Sequence, residues 1–136
     1  MRTPVALIAA AALLCPAAAS GATKHGITPL APKSGATVPV GQSPTFRMRV
    51  KGSGNVWVHV CRTAKVRRDG TICSKESIGQ AKRVGKEYRF TPPFFDYPDF
   101  WLNEAGTYYW QAHRIDCRGG GRDCRQEGPV VRFSVG

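Results

Sequence analysis

The residue types that carry most enzyme chemistry form no catalytic pattern in this sequence. Its serines lie in no strand-to-helix elbow of the kind that exposes a nucleophile, and no paired carboxylates stand out as general acid and base. Gly119-Gly120-Gly121 lacks the lysine and the following helix of a phosphate-binding loop. The sequence therefore predicts a protein that is not an enzyme and that needs no cofactor.

The first 20 residues resemble a cleavable export signal. Arg2 supplies the positive charge, residues 5–14 form an unbroken apolar run, and residues 16–20 contain the proline and small side chains of a cleavage region. The run is about half the length of roughly 20 residues that a membrane-spanning helix needs, and no second one follows it. We expect cleavage between residues 19 and 22, release outside the cytoplasm as a secreted protein, and no membrane span.

Four cysteines remain after such cleavage: Cys61, Cys73, Cys117 and Cys124. An even number in an exported chain predicts two disulfides, for which three pairings exist. The two local pairings are favoured because each pair flanks a polar turn, with Asp69-Gly70 in the first and Gly119-Gly120-Gly121 in the second. The alternative joins Cys61 to Cys117, and loop-closure entropy alone does not choose between them. The spacings lack the C-x2-C pairs of a zinc site, so no metal is expected.

The mature chain is strongly basic. It keeps 19 of the 20 Lys and Arg residues and all nine Asp and Glu residues, a formal charge of +10. Such a charge favours encounter with polyanions such as acidic cell-surface polymers, although a solvated, solubilising surface is the simpler explanation. Nucleic acid is not the expected partner. The candidate polyanion contacts are Lys65, Arg67, Arg68, Arg118, Arg122 and Arg125.

Alternating apolar and polar residues predict several short strands. The alternation is clearest at 45–51, 56–61, 107–115 and 130–135, with one or two weaker strands around 82–90. Residues 21–45 are rich in Pro and Gly and predict an extended entry segment with a short strand. About 116 residues remain after cleavage, which predicts one all-β domain over 21–136.

One motif in this sequence resembles a motif of a known class of β domains. Glu104-Ala105-Gly106-Thr107-Tyr108-Tyr109-Trp110 resembles the corner that opens strand F of immunoglobulin-like domains, with Tyr108 at the tyrosine-corner position. The chain from about 45 to 136 thus resembles immunoglobulin-like and fibronectin type III-like modules of bacterial secreted proteins. The resemblance implies an antiparallel β-sandwich of about seven strands that serves in adhesion or binding. The two inter-sheet cysteines of antibody domains are not at their expected places.

A fainter resemblance is to the enediyne-binding apoproteins of actinobacteria. These are exported single immunoglobulin-like domains with two short-range disulfides, and the layout from Ile115 through Cys124 to Val130 is similar. This resemblance implies a small-ligand carrier with a deep apolar pocket near the Cys117 to Cys124 hairpin. Fold analogy alone does not fix function.

A binding face is predicted from the period of two along neighbouring strands. If Val56, Val58 and Val60 face the core, the opposite face carries five aromatic and polar side chains: Trp57, His59, Tyr109, Gln111 and His113. Aromatic and polar surfaces of this kind suit protein or glycan partners, which are the expected ones. In the alternative, the aromatic residues 94–101 fold over this face, or its cross-strand pairs only stabilise the sheet. Two histidines without a third ligand make a poor metal site.

The predicted disulfide pairing is tested by proteolysis without reduction, followed by mass spectrometry of the linked peptides. We expect one species joining the peptides that contain Cys61 and Cys73, and a second joining those that contain Cys117 and Cys124. A species that links the regions of residues 61 and 117 would contradict the local pairing.

Overall fold

The computed structural model describes residues 22–68, 70–72, 78–92, 101–118 and 124–136. Within these ranges the regular structure consists of strands and one short 3-10 helix, Trp101–Asn103. The strands are β1 (Ile27–Ala31), β2 (Thr37–Val38), β3 (Phe46–Val50), β4 (Asn55–Cys61), β5 (Ile78–Val84), β6 (Glu87–Phe90), β7 (Gly106–Ile115) and β8 (Arg125–Val135). The all-β prediction is confirmed. A search of the described residues for a helix long and apolar enough to cross a membrane finds none.

The strands are hydrogen-bonded into one curled sheet, in the order β1-β3-β6-β5-β4-β7-β8-β2 among the described residues. All neighbouring strands are antiparallel except β2, which pairs parallel with the end of β8. The sequence predicted about seven strands in a two-sheet sandwich; the described residues form eight strands in one curled sheet, and the sandwich stays a prediction. Residues 78–81 of β5 pair with β4 and residues 82–84 pair with β6, so this strand joins the two halves into one sheet.

The main core lies inside the curl, where β3 meets β7 and β8. The Phe46 ring lies edge-on to Trp110 at 5.4 Å between centroids, and it contacts Phe133 at 6.0 Å. The indole Nε1 of Trp110 donates a 3.0 Å hydrogen bond to the carbonyl oxygen of Pro32, so its one polar atom is satisfied in the interior. The inward residues of the predicted alternating segments, such as Met48 and Val58, complete this core.

The observed strands confirm the predicted alternation at β3, β4 and β7, whereas β8 begins five residues before its predicted start at Val130. The register of β7 against β8 shifts between Gln111 and His113, which marks a β-bulge. The extra residues of β8, Arg125–Pro129, are mostly polar. Apolar and polar residues do not alternate in this stretch, so the sequence pattern did not indicate a strand there.

Cys117 and Cys124 form a disulfide, as the local pairing predicted. The bond closes the connection between β7 and β8, where the Asp116 amide also donates a 2.9 Å hydrogen bond to the Cys124 carbonyl oxygen. Cys61 is disulfide-bonded and fully buried. Its predicted partner, Cys73, lies outside the described residues, so the pairing of Cys61 with Cys73 stays a prediction.

Tyr108 fixes the start of β7. Its ring is fully buried, and its hydroxyl donates a 2.8 Å hydrogen bond to the carbonyl oxygen of Glu104, four residues upstream. This is the backbone hydrogen bond of a tyrosine corner. Arg62 donates to the same hydroxyl at 2.8 Å, stacks over the ring at 5.0 Å and forms an ion pair with the Glu104 carboxylate.

Replacing Tyr108 with phenylalanine should lower the free energy of unfolding by about 1–2 kcal/mol, because the Glu104 carbonyl loses its donor and Arg62 loses an acceptor. Urea denaturation measures the change. The matched control is Tyr109→Phe, because the hydroxyl of Tyr109 makes no hydrogen bond to the described residues. Equal destabilisation by the two substitutions would contradict this role of the Tyr108 hydroxyl.

Candidate functional site

The five residues of the predicted binding face do lie together on β4 and β7. In the antiparallel register, Trp57 pairs with His113, His59 with Gln111, and Cys61 with Tyr109. Paired residues project to the same side of a sheet, so these side chains share the face opposite the main core. The sequence therefore predicted the grouping correctly.

The expected exposure of this face is wrong. His59, Gln111 and His113 are only 4%, 2% and 4% exposed, and Trp57 and Tyr109 are half-buried. Residues 62–68 and 70–72 follow β4 and are here called the covering segment; its Gly70 and Ile72 contact this side of the sheet. Within it Thr71 and Ile72 are buried, and Ile72 packs with Cys61 in a second apolar cluster that Tyr109 and Val130 border. The predicted cover, the aromatic residues 94–101, lies outside the described residues except for Trp101, which begins the 3-10 helix.

Close backbone contacts hold the covering segment against β7 and β8. The Gln111 side-chain amide donates to the carbonyl oxygens of Gly70 at 3.2 Å and Gly128 at 3.0 Å. Gly70 has a φ of +85°, and a Cβ at this position would lie 2.8 Å from Cγ of Glu127. A glycine is required there both by the left-handed backbone and by the close approach to Glu127.

Charged and titratable groups lie under this cover. The guanidinium of Arg125 forms an ion pair with the buried Glu127 carboxylate, and its Nη2 lies 3.4 Å from Nε2 of His59. The rings of His59 and His113 are 4.5 Å apart between centroids. Burial, followed by the proximity of His59 and Arg125, lowers the pKa of His113 to about 3, so its imidazole is neutral at physiological pH.

The side chains of this cluster are of the kind that stabilise a buried part of the fold. No group of three His, Cys, Asp or Glu side chains able to hold a metal ion occurs in the described ranges. The Arg125 guanidinium beside His59 further disfavours a cation there. Because these side chains are buried, a protein or glycan partner cannot contact His59, Gln111 or His113 without a rearrangement of the residues around them.

The predicted polyanion contacts fall into three groups. Lys65, Arg67 and Arg68 are exposed on the covering segment. Arg118 forms an ion pair with Asp116 at 3.0 Å, and Arg125 pairs with Glu127, so a neighbouring carboxylate already balances each of these two charges. Arg122 lies outside the described residues.

A second set of cations, which sequence reasoning did not single out, lies on the outer side of β3, β5 and β6. Arg47 pairs in register with Arg89, and Arg89 with Lys82, so three positive side chains form one row across three strands. Arg49 takes the next outward position of β3, and Lys51 directly follows the end of that strand and is exposed. We call these five residues the cationic face. All are exposed or half-exposed, with Arg47 at 41% and Arg89 at 45%.

One carboxylate lies within the cationic face. Glu87 accepts two hydrogen bonds from Arg47, at 2.8 and 2.6 Å, and lies 3.3 Å from Nε of Arg89. The hydrogen bonds from Arg47 are the main cause that lowers the pKa of Glu87 to about 2. The charge of Glu87 balances one of the five cations, whereas Arg49, Lys51 and Lys82 form no ion pair within the described ranges.

A cleft of about 390 Å³ lies beside the Cys117–Cys124 disulfide, lined by Gly54, Asn55, Ile115, Asp116, Cys117 and Arg118. The resemblance to ligand carriers implied a deep apolar pocket at this hairpin. The lining is instead polar, and Asp116 is engaged by Arg118 and by a 2.7 Å hydrogen bond from the Ser53 hydroxyl. The described part of the hairpin therefore gives no support to apolar ligand carriage.

Comparison with known proteins does not assign the chain to a family. It matches no protein-family model, no curated protein and no solved structure. The resemblance to immunoglobulin-like modules therefore stays a proposal that rests on the residues of this chain.

The lowered pKa of His113 predicts a loss of stability in mild acid. Between pH 6.5 and 5 the unfolded chain binds a proton at this histidine and the folded chain does not, because the folded pKa is about 3. The free energy of unfolding should therefore fall by about 2 kcal/mol over this interval and level off above pH 6.5. Urea denaturation at a series of pH values measures the slope.

The variant His113→Gln should show a much smaller slope between pH 6.5 and 5. The wild type, measured over the same series of pH values, is the reference for this slope. Identical slopes for wild type and His113→Gln would show that His113 is not the group responsible.

Proposed function

We propose that this protein is an exported, non-enzymatic binding domain of immunoglobulin-like fold, and that its cationic face binds anionic polymers outside the cytoplasm. The observation that carries the proposal is the row of Arg47, Arg89 and Lys82, aligned across three neighbouring strands. The basic charge of the whole chain is consistent with an anionic partner but does not locate the site.

The strand order supports the immunoglobulin-like part of the proposal. Constant-type immunoglobulin domains pair strands A, B, E and D in one sheet and C, F and G in the other. In this chain β1, β3, β6 and β5 follow the first order, and β4, β7 and β8 follow the second. Tyr108 stands at the start of the strand that corresponds to F, where a tyrosine corner belongs. The departure is β5, which also pairs with β4 and so joins the two sheets.

Two features support export. The apolar run at residues 5–14 has the composition of a signal sequence. The Cys117–Cys124 disulfide suits an oxidising compartment, since the cytoplasm of most cells keeps such cysteines reduced.

Electrostatics favour an anionic ligand at the cationic face. Like charges directly opposite each other on neighbouring strands destabilise a sheet, and Glu87 compensates for only part of that repulsion. An anionic polymer that follows the row relieves the remaining repulsion and releases its own condensed counterions. Such binding stabilises the folded domain in proportion to ligand concentration and affinity.

The site differs from the aromatic face that the sequence favoured. The central residues of that face are buried, whereas the cationic face is open to solvent. Binding through the cationic face therefore requires no rearrangement of the fold.

Titration with dextran sulfate, with uncharged dextran as the control ligand, tests this function. We expect the wild type to bind dextran sulfate only, with an affinity that falls steeply as salt rises. The variant with Arg49→Gln, Lys51→Gln and Lys82→Gln together should bind about tenfold more weakly, because each exposed charge contributes a modest contact. These three cations are chosen because no ion pair within the described residues depends on them.

The matched control removes the same charge from the covering segment, through Lys65→Gln, Arg67→Gln and Arg68→Gln. It should bind dextran sulfate at nearly wild-type affinity. An equal loss in both triple variants would show that net charge alone governs binding, and a wild-type affinity insensitive to salt would also refute the proposal.

A further inference from the structure

We infer that Glu87 is an internal competitor at the cationic face, one that shields Arg47 and Arg89 from small anions and so makes the face selective for anionic polymers. The inference rests on the function proposed above and names the residue that sets its specificity.

The geometry of Glu87 is that of a bound anionic ligand. Both of its carboxylate oxygens accept hydrogen bonds from Arg47 in a side-by-side arrangement, and the same carboxylate contacts Arg89 on its own strand. Planar, two-point pairing is the mode in which arginine recognises carboxylate, sulfate and phosphate groups. The Glu87 side chain is only 15% exposed, so it is more enclosed than either arginine that it contacts.

Tethering gives Glu87 an advantage over a free monomeric anion. A group held beside its partner by a short covalent tether acts at an effective concentration of about millimolar or above. A single sulfate ion must therefore displace Glu87 in order to pair with Arg47 in the same way. Glu87 stays ionised through mild acid, because its pKa is held near 2, and the competition persists over the ordinary pH range.

A polymer does not face the same obstacle. Arg49 projects from β3, Lys51 follows the end of β3, and Lys82 projects from β5 on the far side of β6. Outward positions along a strand repeat about every 6.8 Å, and neighbouring strands lie about 4.8 Å apart. A chain with several anionic groups can contact these three cations together while Glu87 remains paired, and each contact adds to its avidity.

The chain offers a matched control for Glu87. Glu104 also forms an ion pair with an arginine, Arg62, and its side chain is 72% exposed. This pair lies beside Tyr108 at the start of β7, away from β3, β5 and β6. The substitutions Glu87→Gln and Glu104→Gln therefore each remove one negative charge that is paired with an arginine, at two different places on the domain.

The test compares sulfate ion with dextran sulfate, which carry the same anionic group. For Glu87→Gln we expect the affinity for sulfate to rise about threefold to fivefold relative to Glu104→Gln, because the Glu87 carboxylate no longer competes for Arg47. The affinity for dextran sulfate should rise by less, since the polymer already uses the unpaired cations. Nuclear magnetic resonance titration measures the weak sulfate binding, and calorimetry measures the polymer.

A second variant separates competition from a change in folding. In Arg47→Gln with Glu87→Gln the guanidinium that holds both carboxylate oxygens is absent and only Arg89 is freed, so most of the gain in sulfate affinity should disappear. A full gain in this double variant, or equal gains in Glu87→Gln and Glu104→Gln, would overturn the inference. Failure of the wild type to bind dextran sulfate would instead overturn the proposed function itself, so the two failures are distinct.

Discussion

The contact between Phe46 on β3 and Trp110 on β7 is the constraint on which the arrangement of the described strands depends. These strands are separated by three others in the sheet, yet their rings lie 5.4 Å apart. Such an approach is possible only because the sheet curls around the core. The hydrogen bond from Trp110 to Pro32 allows the indole to be fully buried without an unsatisfied donor, which would cost about 1–3 kcal/mol.

This packing also determines which residues reach solvent. Because Phe46 and Met48 point into the curl, the residues between and beside them, Arg47 and Arg49, must point outward. The pairing of β3 with β6, and of β6 with β5, then carries the outward positions across to Arg89 and Lys82. The cationic face is thus a direct consequence of the apolar contacts on the other side of the same strands.

The central strands β4 and β7 are under a different constraint, because both of their faces are covered. Their valine and aromatic side chains fill the main core, and the opposite side carries His59, Gln111 and His113, all of them buried. Burying polar groups is costly unless they are paired, and the Gln111 hydrogen bonds and the Arg125–Glu127 ion pair offset this cost. His113 stays neutral, which lowers the cost of burying it.

Much of this arrangement could be predicted from the sequence. The period of two located β3, β4 and β7, the glycine-rich turn between Cys117 and Cys124 pointed to their bond, and one short motif located Tyr108. Alternation also placed Trp57, His59, Tyr109, Gln111 and His113 on one side of the sheet. It cannot distinguish solvent from a covering segment, because both accept polar side chains, and so the predicted exposure was wrong.

The cationic face could not be predicted from the sequence, for a different reason. The alternation of Arg47 and Arg49 with Phe46 and Met48 is plain in the sequence, but it describes one strand only. Arg89 lies 42 residues further along than Arg47, and only the pairing of β3 with β6 makes them neighbours. Glu87 illustrates the same point. It lies two residues from Arg89 in the sequence, and that spacing indicates only an ordinary surface charge. Its bidentate pairing with Arg47 exists only once the strand order is known, so the balance of charge on this face is a property of topology.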